Sequence, residues 1–372
     1  MKLAIITSRY PKKGTPYNHM FVHVRAVFFA SQGIDVTVFV PSSVKETYYY
    51  QGIKVICDHS DIIAGQQLAY DISYLHLLNL YPTKSGGLRI YKAINKHKQK
   101  AAIYFHGYDA LTHPKYYFDF EWNLRGVTRV LYNNTWKKYQ MHRFLKKLIQ
   151  HKNYVAMAPS NWLKDQIEQL YDLRIHPFKV IPNGIDVSLF NTENAYAKRH
   201  KIVCIRPLEK TYPVAHTIEL MLYLPEEFTL DIYGKGEMKE TLLRLIESKQ
   251  LSHRVRLIEK FVEREQLPQL LNQYGILCAF SNIDTQGVMM CEAMAARLLV
   301  ISSNKAAVPE FIKHKQTGLL EENVLQLKED LLEICADESY FNTIIQNARN
   351  SMEKITIERV GMLEIKALET IL

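Results

Sequence analysis

Residues 275–296 constrain this chain more than any other stretch. An unbroken apolar run, Gly275 to Phe280, leads into a polar turn carrying Asp284, and residues 288–296 are then apolar on nearly every side. A short apolar run bounded by turn residues reads as a strand buried on both faces, as in a parallel sheet. The segment after it reads as a buried helix. Its exception is Glu292, and a carboxylate inside such a helix is costly unless it meets a polar partner. One turn into the helix, it faces the carboxyl end of the strand, where open α/β sheets bind their ligands. A loop acid and a core glutamate with an ordinary partner would leave the same pattern.

The same alternation runs along the whole chain. Strands are expected at residues 3–7, 35–40, 54–57, 72–76, 102–106 and 154–158. A second set follows at 202–205, 228–233, 255–258, 275–280 and 298–302, with helical patterns between. The pattern over 19–32 ends at Gly33, a C-cap residue. Two doubly wound domains are expected, residues 1–185 and 186–354, with the polar segment 191–200 as the linker. An amphipathic pattern over 355–372 closes the chain.

At 372 residues, with 47% apolar and 23% charged side chains, the chain is long enough for two ordinary cores. Five cysteines in apolar runs suggest buried thiols in a reducing compartment. The opening apolar run is too short for a signal peptide and no stretch approaches a membrane span, so a cytoplasmic protein is expected. Charge is uneven: residues 1–180 hold 25 Lys and Arg against 11 Asp and Glu, a balance of +14, and the remainder holds 22 against 27. Such asymmetry points the first half at an anionic surface. Residues 125–152 carry Arg125, Arg129, Lys137, Lys138, Arg143, Lys146, Lys147 and Lys152 and no acid, interleaved with Trp136, Tyr139, Phe144 and aliphatics. Tyr116, Tyr117, Phe118 and Trp122 precede them. This pattern suits the headgroup region of an anionic bilayer, which Trp136 and Phe144 would enter; a solvated helix packing an ordinary apolar face is the alternative. Nucleic acid is not expected, since no recognised nucleic-acid module is present.

The acid at 284, seven intervening residues, Glu292 and then Ala293-Met294-Ala295 resemble the E-x7-E signature of the family 4 retaining glycosyltransferases of GT-B fold. The resemblance implies an α/β chain of two Rossmann-like doubly wound domains facing across a cleft, the second binding a nucleotide-sugar and the last helix crossing back to the first. It assigns the ribose hydroxyls to Glu292 and the neighbourhood of the transferred sugar to Asp284, which stands one methylene shorter than the usual Glu. Gly287, Val288 and Met289 would serve the donor at the helix start. Phe105-His106-Gly107-Tyr108-Asp109 resembles a strand-end His-Gly-x-Asp, whose His106 would reach the donor sugar or its phosphate. Asp109 and His76 fall on the acceptor side. Arg206 and Lys210 would neutralise the leaving diphosphate. Gly234, in Gly-Lys-Gly, and Gly14 with Thr15, in place of the usual Gly-Gly, would let backbone approach the donor. Where Gly-Gly commonly precedes Pro-Glu, this chain has Ala306-Ala307-Val308-Pro309-Glu310.

No Asp-x-Asp occurs, so no metal or other cofactor is expected. The diphosphate would fall to Arg206, Lys210 and the amide end of the helix near Val288. The expected activity is metal-independent transfer of a UDP- or GDP-linked sugar, with retention, to a glycan or lipid-linked acceptor in cell-surface polysaccharide synthesis. The enzyme would be attached peripherally to the inner face of the membrane. Two other classes fit the same residues: a relative acting on the donor alone, as an epimerase or hydrolase, and a catalytically silent donor-binding subunit.

Overall fold

The structure, a computed structural model, describes residues 1–15, 18–76, 78–107, 123–190 and 193–372. They divide into two units. One takes the described residues up to Gly184 together with Ile357–Leu372, and the other takes Ile185–Thr356.

In the first unit β1 (Lys2–Thr7), β2 (Asp35–Pro41), β3 (Glu46–Tyr50), β4 (Ile53–Asp58), β5 (Ile72–His76), β6 (Ala101–Tyr104), β7 (Tyr154–Ala158) and β8 (Phe178–Val180) form one sheet. Its order is β3-β4-β2-β1-β5-β6-β7-β8. Among the described strands only β3 runs antiparallel to its neighbour. It was not expected from the sequence, because an edge strand with one face in water needs no apolar run: Tyr49 is 70% exposed there. Past their first residues β1 and β2 are buried, β5, β6 and β7 are buried throughout, and Leu3, Ala4, Ile5 and Ile6 of β1 are fully covered. The chain builds outward from β1 to β2 and β4, then returns to the other side of β1 with β5. The reversal places a crevice at the carboxyl ends of β1 and β5, where Thr7 pairs in register with His76.

The second unit is a parallel sheet of β9 (Lys201–Ile205), β10 (Thr229–Tyr233), β11 (Val255–Ile258), β12 (Ile276–Cys278), β13 (Leu299–Ser302) and β14 (Leu319–Leu320). Its order is β11-β10-β9-β12-β13-β14. The two-residue period of the strands sorts its core. Ile202, Cys204, Ile276, Cys278, Leu299 and Ile301 pack on one face. Val203, Leu277 and Val300 pack on the other, against the helix Val288–Ala295. The reversal here lies between β9 and β12, so this unit too has one crevice at a switch point.

Three expectations are corrected. Residues 193–200 are part of the second unit rather than a linker, and the junction falls between Gly184 and Ile185. Ala195 is 3% exposed, Lys198 Nζ donates to the Asn272 carbonyl at 2.6 Å, and a Cβ on Gly275 would lie 2.6 Å from two carbonyls of the segment. Its polar side chains bind backbone, which sequence cannot distinguish from solvation. The last helix spans Ile357–Glu369, after a 3-10 turn at Glu353–Ile355. It belongs to the first unit, where a Cβ on Gly361 would lie 2.2 Å from the Phe28 ring.

The third correction concerns the basic stretch. It forms the helix Leu124–Tyr132, a π-helical turn Asn133–Lys137 and the helix Lys138–His151. Phe144 is buried with Met141, Leu145 and Leu148, and its ring stacks on Tyr91 at 4.3 Å, so it cannot enter a headgroup layer. The Leu124–Tyr132 helix is the opposite case. It buries no residue, and Leu124, Val127 and Leu131 stand exposed along it. Among the described residues, no helix is long and apolar enough to cross a membrane.

Candidate functional site

In the second unit the loops leaving β9, β12 and β13 are tied together. The Asn282 amide donates to the Thr211 carbonyl, Ser281 N–H to Ser303 Oγ at 3.0 Å, and Ala307 N–H to the Asp284 carbonyl at 3.2 Å. Arg206, directly after β9, is 7% exposed and reaches across the switch point. Its Nη2 donates to the Ala279 carbonyl at 2.9 Å and to Asp284 Oδ2 at 3.0 Å, and its guanidinium lies 4.9 Å from the centre of the Tyr212 ring. Its Nε is buried and unpartnered. Asp284, shorter than the usual Glu, therefore stands in an ion pair with the cation expected to meet the diphosphate. Lys210 is exposed in the turn that follows, and no side-chain partner is found for it among the described residues.

Helix Val288–Ala295 begins at Gly287, whose φ of 75° is left-handed and suits glycine. Gly287 offers no side-chain cap, and among the described residues no side-chain acceptor is found for the amides of Val288 and Met289 at the helix start. Four residues on from Val288, and hence on the same face, Glu292 is half-buried while Met290, Cys291, Ala293 and Met294 are buried around it. Among the described residues its carboxylate forms no hydrogen bond or ion pair. Burial pushes its carboxyl up to about 7, and the more distant charge of Arg264 opposes the shift. A carboxylate held this way on one face with free helix amides is arranged to take hydroxyl donors beside an anion.

Gly234 and Gly236 have a different reason to be glycine. A Cβ on Gly234 would sit 2.0 Å from the Arg206 carbonyl oxygen, and one on Gly236 2.3 Å from that of Leu208. The backbone that approaches them is the chain's own, and it seats Arg206. Gly14 takes φ 91° in a turn closed by Thr15 N–H donating to the Lys12 carbonyl at 2.9 Å; both residues are exposed.

The first unit gathers histidines at its own switch point. His76 ends β5, His106 follows β6, and His76 Nδ1 lies 3.0 Å from His106 Nε2. His19, which the sequence reading missed, precedes the helix Met20–Ser31 with φ 50° and shares a hydrogen bond of 2.8 Å between its Nδ1 and Thr7 Oγ1. Phe21 covers His106, ring centres 4.6 Å apart. Burial first, then the surrounding positive and imidazole groups, holds His76 and His106 well below the usual imidazole range and His19 at about 4. Asp109 lies outside the described residues, as do Tyr116, Tyr117, Phe118 and Trp122.

Beneath the histidines is a buried ion pair that was also missed. Arg25 Nε donates to Glu364 Oε1 at 2.8 Å; Tyr74 Oη donates to Glu364 Oε2 at 2.9 Å; and the guanidinium lies 4.2 Å from the centre of the Tyr104 ring. Glu364 is fully covered. The signal was available: Glu364 is four residues from both Val360 and Leu368, on the apolar face of its helix. Among the described residues no group of three His, Cys, Asp or Glu is placed to hold a metal ion.

Comparison with known proteins fits this geometry. Residues 188–351 match the family model described as glycosyl transferases group 1. A poly(ribitol-phosphate) alpha-N-acetylglucosaminyltransferase of Staphylococcus aureus is 24% identical over 175 residues, 46% of this chain but only 34% of that protein, so the chain spans about a third of its relative's length. Anabaena Alr3699/HepE, solved in complex with UDP-glucose, superposes with a TM-score of 0.73 at 14% identity, covering all of both chains. Sucrose-phosphate synthase of Thermosynechococcus elongatus gives 0.71 at 14% identity, covering 100% of this chain and 98% of that one. The crevice holding Arg206, Asp284 and Glu292 thus lies within the residues that match the glycosyl transferases group 1 model, in a chain of GT-B fold.

Proposed function

We propose that this protein transfers a sugar from a nucleotide-sugar, UDP-linked in the first instance, with retention of anomeric configuration. The observation that carries the reading is the half-buried, unpartnered Glu292 on one helix face with free amides, at the switch point that Arg206 and Asp284 close. Glu292 takes the ribose hydroxyls and the amides of Val288 and Met289 take diphosphate oxygens. UDP and UDP-glucose bound to HepE support this choice of donor. Because Arg206 is paired, Asp284 moderates its charge, and Lys210 with the helix start supplies the rest. Charge gathers on the leaving phosphate as the glycosidic bond breaks, so cations and amides already in place lower the barrier. His106 donates a hydrogen bond to the donor sugar or its phosphate, as the resemblance has it. Incubation of the purified protein with UDP-, GDP- and ADP-sugars, followed by mass spectrometry, tests the reading. Turnover with none of them, with or without a glycan acceptor, removes it. The same assay in excess EDTA should retain full activity, and loss restored by magnesium or manganese would contradict metal-independent transfer.

The acceptor is a glycan or lipid-linked glycan at an anionic membrane. The exposed Leu124, Val127 and Leu131, with exposed Arg125 and Arg129 on the same helix, support this surface, and exposed Arg143, Lys146 and Lys147 follow. Each basic residue near such a surface contributes about 1 kcal/mol, screened by salt, and the apolar side chains add a salt-resistant part. Vesicles containing anionic lipid should sediment the protein at low salt, and neutral vesicles should not. Changing Leu124, Val127 and Leu131 to Ser should remove the binding that survives high salt and leave nucleotide affinity unchanged. Indifference to anionic vesicles at low salt would leave a soluble acceptor.

A further inference from the structure

The imidazole pair of the first unit has one consistent protonation. A hydrogen bond between two imidazoles needs a proton on one facing nitrogen and a lone pair on the other. Among the described residues His76 Nε2 is buried with no partner. If His106 Nε2 donates to His76 Nδ1, neutral His76 carries its proton on Nε2, an orphaned buried donor. Protonating either ring to the cation has the same consequence, since His76 then holds a proton on Nε2 in every case. Only one arrangement leaves that atom as a bare lone pair: both rings neutral, with His76 Nδ1–H donating to His106 Nε2. Orphaned buried N–H groups are the rarer and costlier kind.

The surroundings reinforce that selection. Facing the pair are Arg25 from the helix Met20–Ser31, Tyr74 from β5, Tyr104 from β6 and His19 from the β1 loop, itself beside Arg9; Glu364 from the last helix lies behind them, bonded to Arg25 and Tyr74. The His76 ring lies 4.2 Å from that of Tyr74 and 5.8 Å from that of Tyr104, on which the Arg25 guanidinium rests. A fixed cation there penalises any further proton on His76, and Glu364 is what makes a buried guanidinium tolerable.

We propose that Arg25 and Glu364 are positioning residues that hold His76 and His106 as a neutral pair of single tautomer, so that His106 carries its proton on Nδ1. The consequence for catalysis rests on His106 serving the transfer proposed above; the tautomer itself does not.

The test is nitrogen-15 NMR of histidine-labelled protein. His76 should show a protonated Nδ1 and a bare Nε2 throughout pH 6–8. The double variant R25M/E364Q replaces the pair by neutral groups of similar size and keeps the fold. There the pair should begin to take up a proton at higher pH, and the acid limb of turnover should move up by about one pH unit. Glu364→Gln alone leaves Arg25 charged, so the limb should not rise although the protein melts earlier. A purely structural role would lower the melting temperature in both variants and leave limb and spectra alone. A protonated His76 Nε2 in the native protein, or unchanged imidazole signals in the double variant, overturns the proposal. Altered signals in a protein with no transferase activity would uphold the tautomer and reject the enzymatic reading.

Discussion

Asp284→Ala should destabilise the second unit by about 3–5 kcal/mol and abolish transfer, while the bare nucleotide still binds. The stability loss follows from Arg206, which is 7% exposed and, among the described residues, would keep the Ala279 carbonyl and the Tyr212 ring but no counter-charge. Removing one partner of a buried pair leaves an uncompensated charge, which costs far more than the pair contributes. Asp284→Asn, which keeps an acceptor for Nη2, should recover most of the stability but little of the turnover. Asp284→Glu should reach the sugar with one more methylene and change which donor is preferred. Denaturant titration and a transfer assay read the two effects separately, and full activity in Asp284→Ala would show that the position carries no chemistry.

Glu292 should make both stability and nucleotide affinity depend on pH, in opposite directions. Its folded carboxyl titrates at about 7, above its ordinary value. Between those values the folded state holds a proton that the unfolded chain has released, so stability falls as pH rises through the window. Glu292→Gln should abolish that slope and gain, after discounting for partial exposure, on the order of 1–3 kcal/mol above pH 7. On the proposed ribose assignment the hydroxyls would bind the ionised carboxylate, so nucleotide affinity of the native protein should rise between pH 6 and 8. Glu292→Ala should lose roughly 1.5–3 kcal/mol, a tenfold to hundredfold drop, and its affinity should no longer vary with pH. Calorimetry at three pH values decides it: an unchanged affinity in Glu292→Ala removes the ribose assignment.

What could be read from the sequence follows the physics of burial. Parallel strands covered on both faces appear as continuous apolar runs, so β1, β9 and β13 were legible; the half-wet β3 was not. Glu292 was visible because one carboxylate stands out in an apolar helix. The pairing of Arg206 with Asp284 was not, since 78 residues separate them and only the strand order brings them together. Gly234 was legible as a constrained position, but whether a ligand or a neighbouring carbonyl requires the missing Cβ is a tertiary fact. His19 had no periodic signature, because its place depends on a single left-handed residue before a helix.

The buried pair between Arg25 and Glu364, 339 residues apart, orders events on the ribosome. Among the described residues the second unit is one continuous piece whose ends meet, Ile185 N–H donating to the Ile355 carbonyl at 2.9 Å, so everything it needs has been synthesised once residue 356 emerges. The first unit, although made first, must wait for the last helix. Until then Arg25 has no counter-ion and Phe28 lacks the helix that covers it. A nascent chain stalled before residue 357 should therefore present a finished second unit and an unfinished first one, a natural target for chaperones during synthesis.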